Sequence, residues 1–549
     1  VTPYVPETFT EDEAALLRPY FTNLDGPVFA LVNLPEVVKG ALFARYSRSP
    51  KSLRRLFLDE FVGDLEITGD AGVDATVGLQ RAEALYEKVF VEYGDDSVAQ
   101  LGGVHLACEQ ASNLLTKVLE WGRLMSYLEQ STRYLAYDTR LGGRYRYHRD
   151  PAVVGSRYGA RFVGDIDALF DTYRDLVPVL TEHFRQQHPK DPDDSDLVYR
   201  QAIRAKAFDA LRGLLPAAAT SNVGIYGTGQ AYEQLLLRMR ASALPEAQTY
   251  AELILTELRK VIPSFLRRVD LPDRGLAWSA YLRDTREATA ETARRVLGES
   301  SEVAPTDSRV TLVDYDPEGE VKVIAAMLYA SSHLPETEIE QRVRQMSVED
   351  RLAVVRAYCG ERSNRRHKPG RALERTAYRF DILSDYGAFR DLQRHRLLTI
   401  EWQQLTPHHG FVRPPSVVDA GVMDRYDEAM ERSATLYELL APDFPVQASY
   451  AVALAYRIRY VMQMNAREAM HLIELRSGPQ GHSSYRTVAQ DMHHLIAEEA
   501  GHRAIAEMMR FVDHRDDVDL ERLESERRAE QRRHARPSEP MTPTSTGSA

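Results

Sequence analysis

Cysteine is almost missing: the 549-residue chain holds two, Cys108 and Cys359. Two thiols cannot build a disulfide framework or a Cys-rich zinc site, so a reducing, cytoplasmic setting is expected. No run approaches the ~18 uninterrupted apolar residues of a membrane span. The acidic stretch Thr10-Glu11-Asp12-Glu13 is unlike a signal peptide, and no membrane partner is expected. Lysine is scarce too, at nine of 69 basic residues against 81 acidic ones. The net charge of −12 argues against a nucleic-acid partner. Arginine, which carries most of the positive charge, has a planar fork that suits phosphate and carboxylate. A GxSxG elbow, a Walker-type loop and a GxGxxG turn are all missing.

What is present is helical periodicity. Residues 81–135, 230–268, 339–358 and 485–512 carry apolar side chains at i, i+3, i+4 spacing. Cys108 falls in the run 107–128 and reads as a structural thiol. Strand-like runs are few and short, Val28–Val32 and Val310–Val313. Polar punctuation falls at 187–196 and 299–309, the second resembling an interdomain linker. The order of several weak matches suggests an internal repeat. Each short strand leads to Pro-Glu (Pro35-Glu36, Pro317-Glu318) and a helix start. The segment from Arg123 matches that from Arg396, and Leu-Leu-Leu-Arg238 matches Ile-Glu-Leu-Arg476. The expected architecture is α+β and helix-rich, in two tandem copies, each with a small sheet. The copies span 1–300, with a helical insertion at about 150–205, and 301–515. A charged, disordered tail is expected over 516–549.

Three constellations can carry chemistry. Glu129-x-Ser131-x-Arg133-Tyr134 puts a carboxylate, a hydroxyl and a guanidinium on one side of an extended segment. It reads either as a nucleotide-reading edge or as a solvated helix end with a local ion pair. Arg394-His395-Arg396 is an anion-binding cluster or a surface basic patch. Asn465-x-Arg467-Glu468-x-x-His471, followed by Arg476, resembles a capped helix start near 466, a natural place for phosphate. A rival reading takes Glu468-x-x-His471 and Glu499-x-x-His502 as ExxH pairs of a di-metal carboxylate bundle. The pairs His408-His409 and His493-His494, and Ser483-Ser484, point to nothing specific.

Together these segments resemble the flavin-dependent thymidylate synthases, over most of residues 25–270 and 308–500. Each half keeps a different part of that family's signature. The first half reads Trp121-Gly122-Arg123-x-x-Ser126, then Glu129, Ser131, Arg133 and Tyr134, with Arg212-x-x-Leu215-Pro216 and Arg238. Gly227 and Gly229 stand where Asn and Arg are expected. The second half keeps Arg394-His395-Arg396, Asn465, Arg467 and Arg476, while Trp402, Gln404 and Thr406 replace Glu, Ser and Arg. An upstream segment is weak in both halves, at Gly94-Asp95 with Gln100-Leu101 and at Lys368-Pro369 with Glu374-Arg375.

The resemblance implies a dUMP-facing set of Glu129, Ser131, Arg133, Arg212, Arg238 and Arg476. It implies an FAD-facing set of Arg394, His395, Arg396, Asn465, Arg467, His471 and Arg123. No protein side chain is assigned as a catalytic nucleophile, since the flavin would carry the redox chemistry, and no metal is implied. The reaction implied is methylation of dUMP to dTMP with methylenetetrahydrofolate and NADPH. The two sets are expected to meet across a domain interface, in a homodimer that forms a pseudo-tetramer of domains. The alternative is a catalytically inactive nucleotide- or flavin-binding scaffold.

Overall fold

In the computed structural model, the structure describes residues 4–34, 46, 49–60, 103–192, 194–298, 309–515, 523 and 527. Two four-stranded antiparallel sheets organise these residues. The first holds β1 (Val28–Leu31), β2 (Gly103–Ser112), β3 (Met125–Glu129) and β4 (Thr220–Thr228), in the order β1-β2-β4-β3. The second holds β5 (Val310–Tyr315), β6 (Ala377–Asp385), β7 (Thr399–Trp402) and β8 (Arg457–Asn465), in the same order, β5-β6-β8-β7. In β6 every second side chain is buried through Tyr378, Phe380 and Ile382, the alternation of a strand covered on one face. β2 is buried almost throughout. Its side chains, Glu109 and Ser112 among them, are therefore buried without the two-residue period of a half-exposed strand. This is why residues 107–128 read as helix; they form the end of β2, the short helix α1 (Asn113–Leu119) and the start of β3. Cys108 lies in the middle of β2, buried, and its thiol is pushed up by burial.

The helical expectations over 230–268, 339–358 and 485–512 hold, whereas residues 81–102 lie outside the described residues and 103–106 belong to β2. α2 (Gly159–Gln187) and α3 (Asp196–Leu211) fill the segment read as an insertion, and α4 (Gly229–Ala241) follows β4. Later come α5 (Ala277–Leu297), α6 (Tyr386–Leu392), α7 (Met423–Leu440), α8 (Ala466–Arg476) and α9 (Ser483–Glu498). α2 is matched by α7, at the same place between the third and fourth strands of its half, and the two helices pack on each other. The extra element of the first half between these strands is therefore α3. The linker at 299–309 lies outside the described residues except for Arg309, as does the tail except for Leu523, which is buried, and Arg527, which is hydrogen-bonded to Asp194. Among the described residues no helix is long and apolar enough to cross a membrane.

A pseudo-twofold axis relates the halves, and reciprocal hydrogen bonds mark it. Ala217 N donates to Val452 O (2.8 Å), and Leu454 N donates to Leu215 O (2.9 Å). Ala218 N donates to Tyr450 O (3.0 Å), and Ala455 N donates to Gly213 O (3.0 Å). Arg123 reaches Thr399 Oγ1 (3.0 Å) while Arg396 reaches Ser126 Oγ (3.2 Å). One apolar core runs through both halves.

This symmetry corrects the sequence alignment by one residue. Thr228 caps α4 and Asn465 caps α8, each by accepting a backbone N–H three residues on. Thr228 and Gln230, rather than Gly227 and Gly229, thus stand opposite Asn465 and Arg467. Met239, rather than Arg238, stands opposite Arg476. Replacing Thr228 by Ala is expected to cost about 1 kcal/mol, read from the midpoint of urea unfolding.

Candidate functional site

The site is built where α6, from the second half, meets β3 and α1 from the first. Asp385 caps α6, and Gly387 in its first turn lets a side chain of the other half lie close. A Cβ there would come within 3.0 Å of the Arg212 guanidinium. The next turn of α6 carries Arg390 and Asp391, both buried. Arg390 Nη2 donates to Glu129 Oε1 at 2.6 Å, and Lys117 Nζ lies 3.3 Å from the other carboxylate oxygen. Burial alone would raise the Glu129 pKa, but these two cations outweigh it and hold the carboxyl down at about 2.

Asp391 gathers four arginines. Arg212 Nη1 donates to it at 3.3 Å, Arg394 donates to its other oxygen, and Arg476 lies 3.9 Å away. Arg133 adds to the field around it, and against the effect of burial these charges keep Asp391 ionised, far below the usual carboxylate range. Arg133 itself is held by a bidentate pair with Asp209 (2.8 and 2.7 Å) and by Tyr485 Oη (2.8 Å). Ser131 Oγ accepts the Arg133 backbone N–H at 3.2 Å. The space enclosed among Glu129, Ser131, Arg133, Arg212, Asp391 and Arg394 is about 20 Å³, room for a water molecule. Arg133 and Arg212 also face outward, onto a cavity of about 500 Å³ that Lys206, Asp209, Asp385 and His482 share.

A second polar chain leads away from this cluster. Arg476 Nε donates to His395 Nε2 (3.0 Å), His395 Nδ1 meets Glu468 Oε1 (3.0 Å), and His471 Nδ1 meets Glu468 Oε2 (3.2 Å). Since Nε2 accepts, the proton of His395 sits on Nδ1 and points at the carboxylate. Burial, with Arg476 close by, pushes the His395 pKa down to about 4, and the two imidazoles hold Glu468 at about 2 against the effect of burial. His395, Glu468 and His471 are near enough for one metal ion. A protonated Nδ1 has no lone pair to offer, however, so the geometry is that of a hydrogen-bond relay. The Glu499–His502 pair does not join it: Glu499 is exposed, and His502 Nδ1 lies 2.8 Å from Tyr378 Oη. The two-ExxH bundle is therefore not assembled among the described residues.

Beyond Glu468 opens a cavity of about 530 Å³ lined by Arg123, Arg396, Asn465, Arg467, Lys368 and Arg371. Arg467 Nε donates to Pro369 O (3.0 Å), which brings the weak upstream segment of the second half to this cavity. Its counterpart in the first half, at 94–101, lies outside the described residues.

Of the dUMP-facing set, the structure brings together Glu129, Ser131, Arg133, Arg212 and Arg476. Arg238 stands apart, its guanidinium 5.4 Å from the Trp121 ring centre. The FAD-facing set divides: Arg394 sits with Asp391, His395 and His471 form the relay, and Arg123, Arg396, Asn465 and Arg467 line the large cavity. Sequence reasoning missed Asp391, Asp209, Arg390 and Lys117. For Asp391 a signal existed, its i,i+3 spacing to Arg394 just past the end of a short helix.

Fold and site together define a duplicated α+β protein with arginine-rich cavities at the junction of its halves. The chain belongs to the Thy1 family, described as thymidylate synthase complementing protein, which it matches over residues 46–264 and 311–501. It is therefore a thymidylate synthase-like protein. It is similar to a UPF0159 protein of Chlamydia muridarum, 41% identical over 529 residues, covering 95% of this chain and 98% of the relative. It is also similar to a UPF0159 protein of Thermoplasma acidophilum, 32% identical over 519 residues, covering 89% of this chain and 97% of the relative. Among solved structures, a UMP/dUMP methylase from Streptomyces cacaoi bound with 5-Br dUMP aligns at 17% identity and a TM-score of 0.28. That alignment covers 36% of this chain and 94% of the methylase.

Proposed function

We propose that this protein methylates dUMP to dTMP with FAD, using methylenetetrahydrofolate as carbon donor and NADPH as reductant. The observation that carries this reading is the interlock of two incomplete signatures across the interface. Glu129 and Arg212 of one half are held by Arg390 and Asp391 of the other, in the segment that leads to Arg394-His395-Arg396. The cavity beside Asn465 fits a dinucleotide. Five cations face it, and its carboxylates are already engaged, Glu374 by Arg371 and Arg467 and Glu468 by the two histidines. Arg123, Arg396, Arg467, Lys368 and Arg371 would hold the pyrophosphate. FAD bound there would supply the electrons of the methyl-forming reduction. His395, kept neutral by burial, would present its imidazole without a charge. The outer cavity bounded by Arg133 and Arg212 would take the nucleotide. Because one chain already supplies two domains about a pseudo-twofold axis, a homodimer would complete a four-domain assembly.

Two experiments test this. The purified protein is expected to be yellow, or to turn yellow when reconstituted with FAD; a colourless protein that takes up no FAD overturns the reading. Rescue of a thymidine auxotroph is expected to fail when either Arg133 or Arg396 is replaced by Ala. Full rescue by either variant removes the shared site. One observation favours the inactive scaffold instead: Arg133, Arg212 and Arg394 each already hold a carboxylate. Flavin uptake without rescue by the unaltered protein would establish that second reading.

A further inference from the structure

The pseudo-twofold axis gives the His395–Glu468–His471 relay a counterpart in the first half. Counting from the caps and from Arg123, the three positions are Gly122, Ala231 and Gln234. Two of the three large side chains are gone, Gln234 keeping one without charge, and a cavity of about 450 Å³ stands there, bounded by all three. Its wall also holds Arg123, Arg238 and Arg396. Unlike the arginines around Asp391, these three have no carboxylate partner among the described residues. Arg123 and Arg396 bond to hydroxyl and carbonyl oxygens, and Arg238 lies over an indole. Burial draws the Arg238 pKa below the ordinary guanidinium value, with only the phenol of Tyr127 opposing it. Of the two acids on the wall, Glu120 is taken by Lys117 and Glu401 is exposed.

The rest of the wall mixes the neutral polar side chains of Gln234, Gln393, His395 and Thr399 with an apolar, open part. Trp121 is 42% exposed and Leu124 69% exposed. Trp121 stands edge-to-face with Trp402 at 5.4 Å, so its orientation is fixed by a neighbour from the other half. Trp121 and Trp402 occupy the places of Arg394 and Glu129 in the other copy. Gly122 keeps the approach clear, since a Cβ there would meet Tyr127 Oη at 2.5 Å and the Arg238 guanidinium at 3.3 Å. Three guanidiniums that have no carboxylate partner among the described residues, beside an exposed indole, recognise a flat ring that bears an acidic group.

We propose that this cavity, where the signature has been lost, is a second ligand site that takes a planar aromatic acid. It adjoins the proposed flavin cavity through Arg123 and Arg396, which line both. Folic acid and flavin mononucleotide serve as probes of the two sources, a pteridine carboxylate and a flavin phosphate. Inorganic phosphate (charge without ring) and riboflavin (ring without charge) are the controls. In titration calorimetry on the full chain, at least one acid is expected to bind tenfold or more tightly than both controls. The tighter acid identifies the source. Arg238→Leu and Trp121→Ala are each expected to weaken that acid tenfold or more. Neither substitution removes an ion pair, so both variants are expected to fold. Arg467→Ala, aimed at the flavin cavity, is expected to diminish FAD uptake and leave the acid's affinity unchanged. That separates failure of the flavin reading from failure of this one. Binding of neither acid, or affinities within twofold of wild type in both Arg238→Leu and Trp121→Ala, overturns the proposal.

Discussion

Replacing Arg390 by Ala lowers the free energy of unfolding by about 3–5 kcal/mol, the usual consequence of stranding one partner of a buried ion pair. Arg390 and Glu129 are both buried, one on α6 and the other at the end of β3, and their 2.6 Å bond ties the two halves together. Without Arg390, the carboxylates of Glu129 and Glu120 share one ion-pair partner, Lys117, with only the more distant charge of Arg394 to add to it. Glu129 then has less to oppose its burial, and its pKa rises. A urea titration followed by far-ultraviolet circular dichroism measures the loss. The double variant Arg390→Ala, Glu129→Gln is expected to be more stable than Arg390→Ala alone, because the uncompensated charge is gone. If the single variant unfolds at the wild-type midpoint, the buried pair is not what joins the halves. A bridge at the surface behaves differently. Arg157 and Asp443 also join the halves, at 2.9 Å, but both are largely in water, and Arg157→Ala is expected to leave the midpoint where it was.

The contrast shows which parts of this molecule were legible in its sequence. The α+β class and the duplication were, because motif order survives divergence. Most strands were not. β2 and β4 are buried along most of their length and mix small, polar and apolar residues, so they carry no period of two, and β3 and β7 are too short to show one. Arg238 was misplaced because chemistry was matched and helical phase was not. It lies ten residues past the cap of its helix, whereas Arg476 lies eleven past its own. One residue turns a side chain by about 100° around a helix, enough to send Arg238 toward Trp121 and Arg476 toward Asp391. The carboxylates that occupy the arginines were hard to read for another reason. Asp209 and Asp391 each stand three residues before a motif arginine, Arg212 and Arg394, but only the fold brings them to Arg133 and Arg212 across 76 and 179 residues of chain.

Lowering the pH from 6.5 to 4 costs the folded protein about 3 kcal/mol at His395 alone. The sign follows from the direction of the shift. In the unfolded chain this imidazole takes up a proton near pH 6.5, whereas in the folded protein it resists until about pH 4. Between these values the unfolded state binds more protons, so stability rises with pH through that window. The contribution is complete above 6.5 and lost by 4. The groups facing His395 are Glu468, Arg476 and His471. Glu468, held at about 2, extends the loss below pH 4.5, since its paired carboxylate must finally be protonated. His482, half-buried beside Arg212 and also pushed down to about 4, loses its share over the same range as His395. The His395→Gln variant isolates one component. Gln keeps an acceptor for Arg476 and a donor for Glu468 but cannot take up a proton. Urea unfolding of both proteins from pH 4.5 to 7 is expected to show a slope shallower by about one proton in the variant. Equal slopes would mean that His395 titrates alike in the folded and unfolded chains, and the relay would then not hold it neutral.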